Sequence, residues 1–338
     1  MSRSGADEHY INRALAEARK GLGRTSPNPA VGAVLVREGR IVAGGYHRGA
    51  GEAHAEVDCL RKVRSAAGAT LYVTLEPCST EGRTPPCVEY IIERGVRRVV
   101  IGTIDPNPQH RGRGVELLRA SGIEVAAGIL EERCASLNEA FNKWIVTGQP
   151  FVIAKCAMSL DGRLTRPPGE SQWLSSAAAR QHARALRSRV DAILVGAETI
   201  RRDDPRLTAR DRQARRQPWR VVLSRSGRLP RKAKVFSDAH KERTLVYRGQ
   251  SLRHVLDALG KREVLSVLIE GGGEVLSEAL DQRLIDSFRI YLTPLLTGGN
   301  VLAFGGKGVA STAEALRLSQ VEYERIGNDI CVSARAQR

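Results

Sequence analysis

Apolar residues recur along this chain in two alternating rhythms, a helical one near 3.6 and a strand rhythm of 2. That alternation predicts an α/β protein. Ile11, Leu15, Ala18 and Leu22 form the first helical stripe, opened by Asp7 as N-cap and stopped by Gly21 to Gly23. The loop Ser26-Pro27-Asn28-Pro29 leads into strands Ala30 to Val36 and Arg40 to Tyr46, folded as a hairpin around Glu38-Gly39. A helix is expected from near His54 to about Arg64, then a strand from Thr70 to Leu75. Pro85-Pro86 starts the next helix, with Val88, Ile91 and Ile92 on one face and Gly95 as its stop. Val96 to Gly102 reads as a strand, and Glu116 to Ala120 and Glu131 to Trp144 read as helical.

Thr147-Gly148-Gln149-Pro150 interrupts the pattern and predicts a boundary between a domain of residues 1–147 and one of residues 150–338. A chain of 338 residues is also too long for one typical core. Beyond the break, strands are expected at Phe151 to Ala157, Ala192 to Gly196, Arg220 to Leu223, Thr244 to Tyr247, Val264 to Ile269, Phe288 to Leu292 and Ile330 to Ala334. Helices are expected at Ser176 to Arg189, Leu252 to Leu259 and Glu274 to Leu284.

The composition, 42% hydrophobic and 27% charged, is that of an ordinary globular protein. No apolar run reaches the roughly 20 residues of a membrane span, and the opening MSRSGADEHY has no signal-peptide core. A cytoplasmic protein with no membrane partner is therefore expected. Cys59, Cys134, Cys156 and Cys331 sit among apolar neighbours and read as reduced core residues. The net charge of +16 raises the question of nucleic acid, but aromatics are only 4%, too few for stacking platforms. The densest basic stretch, Arg201 to Lys234, is interrupted by Asp203, Asp204 and Asp211, so a solvated surface or a phosphate-bearing small substrate suits it better.

The candidate chemistry centres on His54-Ala55-Glu56, Pro77-Cys78 and Pro86-Cys87. An imidazole and two thiolates fill three corners of a zinc tetrahedron and leave the fourth to water. Glu56 is then a proton shuttle and not a ligand. One Zn2+ per chain is expected, with Cys87 favoured as an anion by its place at a helix start. A structural zinc site would normally use a fourth protein ligand. His47 is the near rival for that place and reads better as a substrate contact. In the second half, Gly271-Gly272-Gly273 follows an apolar strand and opens a helix, a turn whose N–H groups suit a pyrophosphate.

The motifs are together specific. Thr25-Ser26-Pro27-Asn28-Pro29-Ala30-Val31-Gly32, the His-Ala-Glu triplet, and Leu75-Glu76-Pro77-Cys78 through Gly82-Arg83-Thr84-Pro85-Pro86-Cys87 resemble the bifunctional riboflavin biosynthesis deaminase–reductase family. So do Asp105-Pro106-Asn107-Pro108, Ser159-Leu160-Asp161-Gly162, Gly169-Glu170-Ser171-Gln172-Trp173, Asp203-Asp204-Pro205-Arg206-Leu207-Thr208 and Glu270-Gly271-Gly272-Gly273. The long gap between Cys78 and Cys87 differs from the short C-x-x-C of common nucleoside and tRNA deaminases.

The resemblance implies a cytidine-deaminase-like N-terminal domain and a dihydrofolate-reductase-like C-terminal domain. It also implies deamination of a diaminopyrimidinone carrying a ribosylamino 5′-phosphate, then reduction of ribosyl to ribityl with NADPH. By position it makes Asn28, His47 and Arg83 deaminase substrate contacts. Ala157, Trp173, Thr199, Asp203, Gly272, Gly273, Glu274, Val275, Leu276, Ser277 and Glu278 become NADPH contacts. Lys155, Ser171, Arg187, Leu207, Arg210 and Glu270 become reductase substrate contacts, with Arg187 and Arg210 as phosphate clamps. Asp203 is the candidate for proton work during ring opening, or else a helix-ending residue. Many members carry His where this chain has Thr80, so a contact there is lost or is replaced, with Glu81 as one replacement. The partners implied are a small phosphorylated pyrimidine and a second copy of the chain in a homodimer or higher homo-oligomer. The rival readings are a nucleic-acid or nucleoside deaminase with an accessory domain, and a zinc-stabilised binding module that has no need of Glu56.

Overall fold

The computed structural model describes residues 3–80, 85–164, 173–210 and 216–337. The chain divides into two compact units, one ending at Gly148 and the other beginning at Gln149.

The first unit contains, in order, α1 (Arg3–Arg19), β1 (Gly32–Arg37), β2 (Arg40–Tyr46), α2 (Ala55–Leu60), β3 (Thr70–Leu75), α3 (Cys87–Glu93), β4 (Arg98–Thr103), α4 (Arg113–Ala120), β5 (Glu124–Ala127), α5 (Glu131–Leu137) and α6 (Glu139–Thr147). Its sheet has the order β2-β1-β3-β4-β5. β1 is antiparallel to both β2 and β3, while β3, β4 and β5 run parallel. Glu38 at φ 50° and Gly39 at φ 72° are the paired left-handed residues that turn β1 into β2. One apolar cluster joins Leu35, Leu71, Val73 and Ile101 to Leu60, Val88 and Leu118. A second holds Ile11, Ala14 and Leu15 against Val34, Tyr72 and Val100.

Several expectations change in this unit. Asp7 is not an N-cap, because α1 starts four residues earlier. Its buried carboxylate instead takes the two arms of Arg98, each at 2.8 Å, and the Tyr72 hydroxyl at 3.0 Å. A bidentate guanidinium satisfies that carboxylate better than helix-end N–H groups do. Ile92 lies on the exposed side of α3. α2 stops at Leu60, where the Arg61 N–H turns back to Cys59 and Val57. The helix expected over 131–144 breaks at Asn138, whose buried side-chain amide pairs with both backbone groups of Ala30 at 2.8 and 2.9 Å.

The second unit contains β6 (Phe151–Ser159), α7 (Ala177–Leu186), β7 (Ala192–Gly196), α8 (Ala197–Asp203), β8 (Trp219–Ser224), α9 (Lys234–Ser237), β9 (Thr244–Arg248), α10 (Leu252–Gly260), β10 (Ser266–Ile269), α11 (Gly273–Asp281), β11 (Ser287–Thr293), β12 (Leu318–Ile326) and β13 (Asp329–Ala336). The sheet order is β12-β13-β11-β6-β10-β7-β8-β9. From β11 to β9 neighbouring strands are parallel, and β13 and β12 add an antiparallel edge. The central strands are buried on both faces, as parallel strands covered by helices must be. β12 is solvent-exposed along nearly its whole length, so no sustained apolar alternation announced it.

Candidate active sites

In the first unit three segments deliver three donors. His54 is the N-cap of α2, in extended backbone at φ −69° and ψ 164°. Cys78 follows the end of β3, and Cys87 is the first residue of α3. Gly45 of β2 lets α2 seat closely, since a Cβ there would lie 2.4 Å from the Cys59 nitrogen and 2.6 Å from the Ala55 oxygen. His54 Nδ1 stands 3.2 Å from Cys87 Sγ and 3.4 Å from Cys78 Sγ, and the three donors lie within 4.8 Å of one another. Tetrahedral zinc with its usual bond lengths separates such N and S donors by roughly 3.6 Å, so the set fits that ion. No fourth ligand joins the cluster among the described residues, which leaves one corner open.

The local electrostatics favour a thiolate at Cys78 and not at Cys87, where the helix start alone led us to expect it. The Cys87 backbone N–H donates to Cys78 Sγ at 3.3 Å. The side-chain hydrogen bond from Cys87 pulls the Cys78 thiol well below the ordinary thiol range, against the opposing effect of burial. The same bond, reinforced by burial, holds Cys87 up. Glu56 is buried, with its carboxyl within hydrogen-bonding reach of the Cys87 thiol. Burial pushes it up to about 7, with nearby His54 pulling the other way. A carboxyl tuned to that range can take a proton and give it back near neutrality.

Asn28 and His47 meet beside these groups. Asn28 Nδ2 lies 3.1 Å from His47 Nε2, and His47 Nδ1 lies 3.1 Å from the Ala53 carbonyl. A carbonyl only accepts, so Nδ1 carries the proton and Nε2 accepts from Asn28. Burial lowers the His47 pKa, which keeps the ring neutral in that tautomer. The His47 ring packs edge-on against His54 at 5.2 Å between centroids. Arg83 lies outside the described residues.

The motif before Cys78 holds one more residue with a structural task that the sequence does not reveal. Glu76, buried just before Pro77-Cys78, accepts four backbone N–H bonds: from Asp105 at 3.1 Å, Gly112 at 2.9 Å, Gly114 at 2.9 Å and Val115 at 3.2 Å. It ties the loop before α4 to the turn that carries Cys78.

In the second unit a cleft of about 1860 Å³ opens at the carboxyl ends of β6, β7, β8 and β10. Ligands in open parallel sheets bind at such ends. Every reductase-side residue singled out from the sequence lines it, apart from Ser171, which lies outside the described residues. Ala157 and Lys155 come from β6, Thr199 and Asp203 from α8, and Gly273 to Glu278 from α11. Gly271 holds φ at 106°, a region open to glycine, and the turn delivers Gly272 as N-cap of α11. Trp173 is 44% exposed, with the Arg180 guanidinium 5.5 Å over its ring.

The arginines are arranged differently from the simple clamp expected. Arg187 Nε and Nη2 donate to the two Glu270 oxygens at 2.6 and 2.7 Å. That buried pairing holds Glu270 low despite its desolvation. Arg184 joins Arg180, Arg187 and Arg210 along the cleft, and desolvation together with those like charges lowers its pKa. The spacing of 180, 184 and 187 places three arginines on one face of α7 and its end, a signal present in the sequence. Leu207 is only 1% exposed and belongs to an apolar cluster with Ile193 and Val222. Lys155 lies beside Glu270, with Nζ 5.9 Å over the Tyr291 ring. Asp203 ends α8 at the rim of the cleft, where partial desolvation pushes its carboxyl up although the residue is exposed to solvent.

The six cysteines are all free. Among the described residues, no helix is long and apolar enough to cross a membrane.

Comparison with known proteins finds relatives of both units. Residues 4–103 match the family model of the cytidine and deoxycytidylate deaminase zinc-binding region, and residues 150–332 match that of the RibD C-terminal domain. The riboflavin biosynthesis protein RibD of Aquifex aeolicus is 39% identical over 347 residues, covering 96% of this chain and 97% of that protein. RibD of Mycobacterium tuberculosis H37Rv is 42% identical over 333 residues, covering 96% of each. Among solved structures, Acinetobacter baumannii RibD superposes with a TM-score of 0.92 at 37% identity, covering 99% of this chain and 100% of that one. The diaminohydroxyphosphoribosylaminopyrimidine deaminase/5-amino-6-(5-phosphoribosylamino)uracil reductase of Thermotoga maritima gives 0.88 at 36% identity, covering 99% of each.

Proposed function

The chain belongs to the RibD family of riboflavin biosynthesis proteins and is a bifunctional deaminase and reductase, and from that premise we propose which residues carry each step. The first unit, cytidine-deaminase-like, hydrolyses the exocyclic amine of 2,5-diamino-6-ribosylamino-4(3H)-pyrimidinone 5′-phosphate. The second, dihydrofolate-reductase-like, then reduces the ribosyl group of the product to ribityl. The convergence of His54, Cys78 and Cys87 beside a buried Glu56 carries this reading.

His54, Cys78 and Cys87 would hold one zinc ion per chain, which when bound supplies Lewis acidity to a water at the open corner. Glu56 takes a proton as the water oxygen bonds to the ring carbon. It gives that proton to the amine as the C–N bond breaks and ammonia leaves. Asn28, held by His47, presents its amide to the pyrimidinone edge, and Arg83 completes the contacts. His47, with both nitrogens engaged, acts mainly by fixing Asn28.

In the reductase, NADPH supplies the hydride that adds to C1′. The N–H groups at the start of α11 would hold its pyrophosphate, and Trp173, Thr199 and Ala157 would line the rest of its bed. Arg184 and Arg210 hold the substrate phosphate while Arg187, braced by Glu270, and Lys155 address the ribosyl end. The backbone at Leu207 completes that wall, and the family motif assigns Ser171 to the same substrate. Asp203 gives the proton that accompanies opening of the ribosyl ring. A homodimer in the cytoplasm is the expected working form. A coupled assay tests the assignment: ammonia release from the pyrimidine phosphate precedes NADPH loss, and a chelator stops both unless deaminated product is added. Ammonia release unaffected by complete zinc removal would sink the metal assignment.

A further inference from the structure

We propose that His110 is a substrate contact of the deaminase site and donates a hydrogen bond to the phosphate-bearing arm of the pyrimidine. The proposal rests on the deaminase reading of His54, Glu56, Cys78 and Cys87. Three observations carry it. The first is the Glu76 brace: its carboxylate fixes Asp105 at one end of the loop and Gly112, Gly114 and Val115 at the other. The loop that bears His110 is therefore held against the turn of Cys78.

The second observation is the pairing of His110 with Thr80, two residues beyond Cys78. Thr80 Oγ1 lies 3.3 Å from His110 Nδ1 and 3.4 Å from Nε2. One hydroxyl serves one ring nitrogen well, so the other remains for a ligand. Among the described residues Thr80 is the only hydrogen-bond partner of that ring. Both residues are half-buried, so the imidazole is steadied without being sealed off.

The third observation is charge. Arg111 follows His110 on this loop and Arg113 opens α4 just after it, both exposed. The ring end of the substrate is already committed to the metal donors, Glu56 and Asn28. The arm that leaves the ring must pass another wall, and a basic loop anchored beside Cys78 suits a phosphate monoester.

The test separates this contact from the reading it rests on. In Glu56→Gln protein, which holds substrate without turnover, His110→Ala should weaken binding of the phosphorylated pyrimidine about tenfold by calorimetry. Binding of the dephosphorylated compound and zinc content should not change. In otherwise wild-type protein, His110→Ala should raise the deaminase KM about tenfold and leave kcat within about twofold. Adding Thr80→His, which restores an imidazole beside the vacated place, should recover most of the loss. Unchanged affinity, equal loss for both compounds, or loss of zinc in His110→Ala would each overturn the proposal. Full deamination by Glu56→Gln would instead overturn the underlying site reading, whatever His110 does.

Discussion

The two sites of this protein are built on opposite plans. The deaminase site is compact: three donors lie within 4.8 Å of one another, and the buried Glu56 carboxyl reaches one of them. The reductase cleft is broad, about 1860 Å³, and its candidate residues run from Lys155 to Glu278 with several of them exposed. Metal chemistry demands atoms at bonding distance, so a single displaced donor ends it. Hydride transfer demands orientation of two large ligands, and that is distributed over many weak contacts. Single substitutions should therefore act as a switch in the first site and by degrees in the second.

The largest effect is expected at the ligands. Cys87→Ser should reduce ammonia release to background and bound zinc to well below one per chain. NADPH oxidation with preformed deaminated product should stay within about twofold, because the described residues that line that cleft all belong to the second unit. Loss of both activities together would break the comparison. Glu56→Gln should come next, lowering deaminase kcat by about 10³-fold with zinc retained, the size expected when a proton shuttle is removed. Zinc lost alongside activity would make Glu56 a structural support.

Asp203 offers a sharper trial, because it is the one residue asked to behave in the cleft as Glu56 does in the compact site. Its carboxyl is pushed above the ordinary aspartate value by desolvation. As a proton donor it is active when protonated, so reductase kcat/KM should fall as pH rises through that raised value. Asp203→Asn should lower kcat by about 10²-fold and flatten that limb of the profile. A variant with normal turnover and an unchanged profile would reduce Asp203 to the last residue of α8.

The same contrast explains what the sequence disclosed. His54, Glu56, Cys78 and Cys87 were legible because each stands in a short motif at a strand end or helix start, where backbone geometry and chemistry coincide. The Glu38-Gly39 hairpin and the β3 limits were legible for the same local reason. Asp7 was misread as a cap because its partner, Arg98, is distant in sequence and only the fold brings the two together. β12 was invisible because its residues face solvent on both sides, and the brief alternation Val321-Glu322-Tyr323-Glu324 is too short to mark a strand. The Arg187–Glu270 pair was named as two separate contacts, since nothing in the sequence joins residues so far apart. The task of Glu76 was hidden inside its motif, because its four donors belong to a loop some thirty residues on.

The smallest effect separates protein packing from ligand contact in the glycine turn. At Gly273 an added Cβ would stand 2.1 Å from the Leu302 carbonyl oxygen, so Gly273→Ala must move backbone. At Gly272 it would meet only the Thr199 hydroxyl, at an ordinary 3.7 Å. Overpacking of this kind costs about 1–3 kcal/mol, so Gly273→Ala should weaken NADPH about tenfold and also lower the melting temperature of the second unit. Gly272→Ala leaves the protein room. Any loss of NADPH affinity there, with an unchanged melting temperature, reports the cofactor lying against that backbone. If Gly272→Ala bound NADPH as the wild type does, the pyrophosphate would have to lie elsewhere in the cleft. The arginines of α7 would then be the first groups to test, because Arg180, Arg184 and Arg187 line the cleft from one face.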